Sequence, residues 1–169
     1  MSIEIERRFL VRSESWRQHV VRRLIIQQGY LASEGNATVR VRIVDNRNAT
    51  LTIKSHAAAT FRHEFEYSIP LDDALGILKL RSGGLVRKVR HIVISHGLTW
   101  EIDVFEGENA GLVIAELELK AFTQQVKLPD WAGREISGDV RYSNSHLARW
   151  PFRSFTHMLR DADLTQAGE

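Results

Sequence analysis

Charged side chains that recur two positions apart are the residues of this sequence with the clearest capacity for chemistry. Residues two apart on a β-strand share one face and lie about 6.8 Å from each other, so like charges there repel by about 0.6 kcal/mol in water and about 2.4 kcal/mol at an effective dielectric of 20. An ordinary solvated face would rarely repeat that cost, although an open sheet with its polar side in water is the alternative explanation. The like-charged pairs are Glu4 and Glu6, Arg40 and Arg42, Glu64 and Glu66, Lys88 and Arg90, Glu101 and Asp103, and Glu116 and Glu118.

The two signs of charge indicate two kinds of ligand. Clustered carboxylates suit hard cations such as Mg²⁺ or Mn²⁺, whereas the arginine and lysine pairs, together with Lys54, suit phosphate oxygens. If these charged faces enclosed a common interior, burial of each charge would cost several kcal/mol unless the charge were paired or solvated. The pattern therefore predicts one site that holds water, a divalent metal and a polyanion. The seven histidines lack HExxH spacing and a Cys/His cluster, which argues against a histidine metal site.

Short segments with alternating apolar and polar residues are the elements that must position these charges. Strands are predicted over residues 3–11, 24–31, 38–44, 50–55, 61–69, 85–95, 98–105 and 112–122. A short helix is predicted from Ser13 or Ser15 to Arg23, a second from Pro70 to a stop at Gly83 and Gly84, and a third over residues 144–149.

Strands in near-sequential order with short connections predict an up-and-down antiparallel sheet. Eight such strands can close into a barrel, so the predicted fold is mainly β, within the α+β class: an eight-stranded antiparallel closed β-barrel with a few flanking helices. Residues 1–155 are predicted to form this single tunnel domain and residues 156–169 a C-terminal tail. Closure places the charged faces inside and turns an apolar set outward under helices, namely Val39, Val41, Ile43, Phe65, Leu117 and Leu119.

Length and composition exclude several classes of protein. A chain of 169 residues fits one domain with its own core, and the absence of cysteine excludes disulfides and thiolate chemistry. A net charge of +2 without a long basic run argues against a nucleic-acid partner. With no apolar run long enough to cross a membrane, the protein is predicted to be soluble and cytoplasmic. A homodimer is left open.

The charged motifs, taken in order, resemble those of a known superfamily. Glu4-Ile5-Glu6-Arg7-Arg8 is similar to the ExExK-type strand of the CYTH, or triphosphate tunnel metalloenzyme, superfamily. From residue 3 to about 148 the resemblance continues through Gln28-Gly29-Tyr30, Arg40-Val41-Arg42, Thr52-Ile53-Lys54, Glu64-Phe65-Glu66, Lys88-Val89-Arg90, Glu101-Ile102-Asp103-Val104-Phe105, Glu116-Leu117-Glu118 and Asp139-Val140-Arg141-Tyr142. Two positions depart from the pattern: Arg8 stands where lysine is usual, and Ser143 where a basic residue is frequent.

The resemblance implies roles for individual residues. Metal ligands are expected at Glu4, Glu6, Glu116 and Glu118, with Asp103 next, and phosphate contacts at Arg8, Arg40, Arg42, Lys54, Lys88 and Arg90. The candidate catalytic residues are Glu64, Glu66 and Asp103. Glu64 and Glu66 have three open roles: binding a second metal, ordering a water, or balancing the basic residues.

The function implied is metal-dependent hydrolysis of a terminal phosphoryl group from inorganic triphosphate or a related compound such as ATP, thiamine triphosphate or polyphosphate. Within the same fold, a class IV-type adenylate cyclase that makes cyclic AMP from ATP is the alternative. A third reading is a polyanion-binding module without catalysis. Such a module would have little use for glutamates beside a phosphate, which favours the enzyme.

Overall fold

The computed structural model describes residues 5–55 and 63–156. Nine strands account for most of these residues: β1 (Ile5–Val11), β2 (Val20–Ala32), β3 (Ala37–Val44), β4 (Asn48–Ser55), β5 (Glu64–Ile69), β6 (Ser82–Ser95), β7 (Leu98–Phe105), β8 (Val113–Leu119) and β9 (Ala132–Glu135). Two α-helices, α1 (Leu71–Leu78) and α2 (Asn144–Arg149), lie wholly within the described residues, with 3₁₀ turns at Ser15–His19, Gly107–Asn109 and Val140–Tyr142, and residues 152–156 are also helical. Within the described ranges, no helix has the length and apolar character needed to cross a membrane.

All nine strands belong to one antiparallel sheet, which confirms the predicted mainly β class. The order is β5-β4-β3-β2-β6-β7-β8-β1-β9, so most neighbours are also consecutive in sequence, and β1 returns to pair with β8. The short strand β9, which the sequence pattern does not reveal, adds to the outer edge of β1. Within residues 5–55 and 63–156, no hydrogen-bonded ladder joins β5 to β9.

The outer face of the sheet is apolar and is covered by helix and loop segments. Helix α1 places Ala74 and Leu78 against Val41 and Ile43 of β3. Elsewhere on this face Trp16 packs edge-on against His91 of β6, and Trp131 packs edge-on against Trp100 of β7. Burial of each large aliphatic side chain contributes roughly 1.5–3 kcal/mol. Phe65 differs from the predicted outer set, because it lies on the edge strand β5 and is 52% exposed.

The inner face of the sheet changes character along its length. On four strands a charged residue is followed two positions away, on the same face, by an apolar one. These successions are Arg8 to Leu10, Lys88 to Val86, Asp103 to Phe105 and Glu116 to Ile114. The apolar ends pack against Tyr142, Leu147 and Ala148 from the C-terminal segment. One end of the space inside the sheet is thus filled by a hydrophobic cluster.

Two local predictions are wrong for reasons of tertiary pairing. The helix predicted up to Arg23 is limited to the turn Ser15–His19, because Val20 to Arg23 pair with β6. Helix α1 ends at Leu78, and the two glycines predicted to stop it begin β6 instead. Gly83 has a φ of +80°, and a Cβ there would lie 2.8 Å from the carbonyl oxygen of Ala148. The glycine therefore permits α2 to pack closely on β6.

Candidate active site: a charged cavity inside the sheet

A cavity of about 1360 Å³ lies inside the curved sheet, between strands that are distant in its order. The end of the cavity next to the hydrophobic cluster is called the closed end, and the residues that line it there are Val140, Ser143, Asn144 and Ser145 of the C-terminal segment. Of the residues assigned roles from sequence, those that line the cavity are Glu6, Arg8, Arg40, Arg42, Lys54, Glu64, Glu66, Arg90, Glu116 and Glu118. Lys88 and Asp103 are not among the lining residues, and Glu4 lies outside the described residues.

The acidic wall is built by β1 and β8, whose register places Glu6 opposite Glu118 and Arg8 opposite Glu116. Glu6 and Glu118 are exposed to the cavity. Both carboxylate oxygens of Glu116 are engaged, one by Arg8 Nε at 2.9 Å and the other by Arg90 Nη2 at 3.1 Å. These oxygen donors fit a hard divalent cation by their chemistry. Within residues 5–55 and 63–156, however, no three acidic or histidine side chains already converge as a metal cluster.

The basic wall is built by β3 and carries Arg42, which has no carboxylate partner among the described residues. Arg42 Nε donates to the amide oxygen of Gln28 at 2.9 Å, and among the described residues it forms no ion pair. Burial, reinforced by the nearby cations Arg40 and Arg90, lowers the pKa of Arg42 to about 10. The buried Nε of Arg40 also lacks a hydrogen-bond partner within the described part of the chain. The excess positive charge of this wall therefore favours binding of an anion.

The edge strand β5 supplies carboxylates that balance part of the basic wall. Glu64 Oε2 lies 2.9 Å from Lys54 Nζ, and Glu66 Oε2 lies 3.5 Å from Arg40 Nη2. Thr52 connects the second pair, since its hydroxyl donates to Glu66 at 2.8 Å and accepts from Arg40 at 3.0 Å. Of the three roles left open for these glutamates, charge balance is the one visible in these contacts. The charge pattern of the sequence does not reveal this role of Thr52, because threonine is uncharged.

Tyr30 lines the cavity and lies on β2. The ring is buried in the apolar cluster at the closed end, and Gln28 Nε2 donates to its hydroxyl at 2.8 Å. Burial raises the pKa of Tyr30, so the hydroxyl is neutral near pH 7. Gln28 thus joins the hydroxyl of Tyr30 to the guanidinium of Arg42.

Lys88 and Asp103 lie behind the residues that line the cavity, and both are completely buried. Lys88 Nζ donates to Asp103 Oδ2 at 2.5 Å and to Asn144 Oδ1 at 3.1 Å. Arg90 binds both oxygens of the same aspartate at 2.8 Å, and its remaining amino group pairs with Glu101. In the structure Lys88 and Asp103 are thus joined in a buried ionic network. Lys88 Nζ also lies 5.3 Å from the centroid of the Phe105 ring. The phosphate contact predicted for Lys88 and the metal and catalytic roles predicted for Asp103 stay predictions.

Burial and the neighbouring charges have opposite effects on the pKa values of Asp103 and Lys88. Burial disfavours ionisation of Asp103, but Lys88 and Arg90 outweigh it and hold the pKa of Asp103 well below its usual range. For Lys88 burial outweighs the attraction of Asp103 and lowers the pKa to about 8. The network holds Arg90 in place, so that its guanidinium presents one face to the cavity beside Glu116.

Lys88 should make stability depend on pH. The pKa of Lys88 is about 8 when folded and near 10.5 when unfolded, so the unfolded chain binds more protons between about pH 8 and 10. The free energy of unfolding, relative to a Lys88→Met variant, should therefore rise over this interval, by about 1 kcal/mol per pH unit. Denaturant unfolding of both proteins at several pH values measures the difference. A constant difference would mean that Lys88 stays charged throughout.

Comparison with known proteins gives the class to which this fold and cavity belong. The CYTH domain family matches residues 2–149, and the chain belongs to that family. An inorganic triphosphatase of Acetivibrio thermocellus is 39% identical over 156 residues, which cover 92% of this chain and 99% of the relative. An inorganic triphosphatase of Nitrosomonas europaea is 30% identical over 149 residues, covering 86% and 96%.

Solved structures agree with this assignment. The crystal structure of an inorganic triphosphatase superposes with a TM-score of 0.65 at 29% identity, covering 88% of this chain and 95% of that one. A Hippeastrum protein investigated as an adenylyl cyclase, and found to have a dominant triphosphatase activity, superposes with a TM-score of 0.53. It covers 70% of this chain and 80% of its own, and at 15% identity it shows the shared fold alone.

Proposed function

We propose that this protein is a divalent-metal-dependent enzyme that hydrolyses the terminal phosphoryl group of inorganic triphosphate. One observation carries the proposal: the same cavity contains Arg42, which has no carboxylate partner among the described residues, and a separate acidic wall. An anion would relieve the cationic wall, and a divalent cation would relieve the acidic one. The inorganic triphosphatases of Acetivibrio thermocellus and Nitrosomonas europaea, similar over nearly their whole lengths, support the same reading.

In this proposal the cavity works by positioning and by charge neutralisation. Arg40, Arg42 and Lys54 hold the phosphate oxygens, and Arg90 neutralises charge that develops near Glu116. Glu6, Glu116 and Glu118, with Glu4, would hold Mg²⁺ or Mn²⁺, which when bound polarises a phosphoryl oxygen and helps to orient substrate. Glu64 and Glu66 limit the repulsion among the cations and hold Lys54 and Arg40 in orientation. No covalent enzyme intermediate is required.

The lining of the cavity favours inorganic triphosphate over a nucleotide. Nucleobases such as adenine are commonly bound by stacking on an aromatic side chain. Among the described lining residues Tyr30 is the one aromatic, and its ring is committed to the hydrophobic cluster at the closed end. The remaining lining residues are mainly charged or small and polar. These features support the hydrolase over the class IV-type cyclase.

A phosphate-release assay over inorganic triphosphate, longer polyphosphate, ATP and thiamine triphosphate tests the proposal directly. Each substrate is assayed with Mg²⁺, with Mn²⁺ and with a chelator, and cyclic AMP is monitored in parallel. We expect release to require the metal and kcat/KM to be highest for inorganic triphosphate. Cyclic AMP as the main product from ATP would establish the cyclase instead. Tight triphosphate binding without turnover under any metal would establish the binding module.

The predictions on domain division, partners, oligomeric state and location are not needed for the proposed chemistry. The division into a domain over residues 1–155 and a tail over 156–169, the absence of nucleic-acid and membrane partners, the homodimer and the cytoplasmic location stay predictions.

A further inference from the structure

Arg8 makes two contacts that join parts of the chain far apart in sequence. Its Nε donates to Glu116 Oε1 on β8 at 2.9 Å, and its Nη2 donates to the backbone carbonyl oxygen of Tyr142 at 2.8 Å. The residue is 7% exposed, and Tyr142 is completely buried. The guanidinium thus lies between the acidic wall of the cavity and the segment that lines its closed end.

The shape of arginine is what permits both contacts. Nε and Nη2 are separate donors on a rigid planar fork, whereas the ammonium of lysine is a single compact donor at the end of a flexible chain. A lysine at position 8 could pair with Glu116 or reach the carbonyl of Tyr142, but it could not reproduce both donor positions. The carbonyl would then be buried without its charged donor, which is unfavourable.

The segment that Arg8 holds forms part of the cavity. Val140, Ser143, Asn144 and Ser145 line the closed end. Asn144 accepts the hydrogen bond from Lys88, and the hydroxyl of Tyr142 accepts one from Arg134 at 3.0 Å. Of the three basic residues that donate to this segment, Lys88, Arg134 and Arg8, it is Arg8 that also contacts a carboxylate of the acidic wall. Displacement of its guanidinium would therefore alter the wall and the closed end together.

We infer that Arg8 is a positioning residue rather than a phosphate ligand: it couples the orientation of Glu116 to the seating of residues 140–149. The side chain acts through Glu116 and through the carbonyl of Tyr142, and both of its visible donor contacts are used for this purpose. Its consequence for turnover rests on the proposed triphosphatase function, whereas the coupling itself does not.

Hydrogen exchange of the ligand-free protein tests the coupling without reference to catalysis. In Arg8→Lys we expect the amides of residues 140–149 to exchange at least about tenfold faster than in the unsubstituted protein. The matched control is Arg40→Lys, which changes a cavity arginine whose contacts are to Thr52 and Glu66, and it should leave exchange in this segment unchanged. Glu116→Ala should accelerate the same amides, because it removes one of the two groups that hold the guanidinium.

Kinetics with inorganic triphosphate distinguish positioning from direct binding. Arg8→Lys should lower kcat at least about tenfold and leave KM within about twofold, because positive charge is kept while the geometry is lost. Unchanged exchange over residues 140–149 in both Arg8→Lys and Glu116→Ala would overturn the inference, and so would an effect confined to KM. If the unsubstituted protein hydrolyses no triphosphate, the proposed function fails and the exchange experiment still decides the coupling.

Discussion

Replacement of Arg42 by glutamine should lower activity and raise stability at the same time. A group that stabilises developing charge in a desolvated site typically contributes about 10²–10³ to kcat, so kcat/KM for inorganic triphosphate should fall by about that factor. In the ligand-free protein the same guanidinium is half-buried beside Arg40 and Arg90 without a carboxylate of its own among the described residues. Its removal should increase the free energy of unfolding by about 1 kcal/mol, or about 2–4 °C in Tm for a chain of this length.

Steady-state kinetics and thermal unfolding of Arg42→Gln measure the two effects, and Arg7 provides a matched control. Arg7 lies on the same sheet but on its outer face, where it pairs with Glu135 at 2.6 Å. Arg7→Gln should leave kcat/KM within about twofold and should not raise Tm. Retention of full activity by Arg42→Gln would remove this residue from the proposed phosphate site. A fall in Tm would show that its burial is compensated in the folded protein.

Replacement of Glu118 by glutamine should abolish metal-dependent turnover. Glu118 lies opposite Glu6 in the β1–β8 ladder and faces the cavity. The substitution keeps size and polarity but removes a negative charge, and the number of charged ligands sets the affinity of a site for a hard cation. Because a catalytic metal contributes several kcal/mol of charge stabilisation, kcat should fall by roughly 10³ or more.

Metal binding to Glu118→Gln is measured independently of turnover, by titration calorimetry with Mn²⁺ alone. We expect the Kd to rise at least about tenfold. The control is Glu14→Gln, which removes an exposed glutamate that pairs with Arg17 outside the cavity, and which should bind Mn²⁺ and turn over substrate normally. Unchanged Mn²⁺ affinity in Glu118→Gln would exclude this residue as a ligand, even if the variant were inactive.

Much of the architecture could be predicted because alternation is a local property of a strand. The boundaries of β7 and α2 agree with the sequence pattern, and the like-charged pairs of β1, β3, β5 and β8 face one cavity wherever the structure describes them. The limits of the other strands shift by a few residues, since pairing with a neighbour extends or shortens them. The strand β9 is too short to show a period and forms because β1 has a free edge.

The sequence could not distinguish residues that share a face but differ in depth. Lys88 and Arg90 have the same charge and the same face, yet Arg90 lines the cavity and Lys88 is buried behind it. A period of two reports the face of a strand and says nothing about distance from the closed end. That distance is set by α2 and its cluster, which belong to a segment more than fifty residues away in the chain.

The sequence by itself determined which charges face inward and of which sign, because these properties follow from strand periodicity and side-chain chemistry. The tertiary structure decided which of those charges remain available for a ligand. It paired Asp103 with Lys88, left Arg42 beside a neutral amide, and placed Arg8 between Glu116 and the carbonyl of Tyr142. These outcomes depend on contacts between distant segments and on burial, which leave one charged side chain facing the cavity and make another of the same charge a structural support.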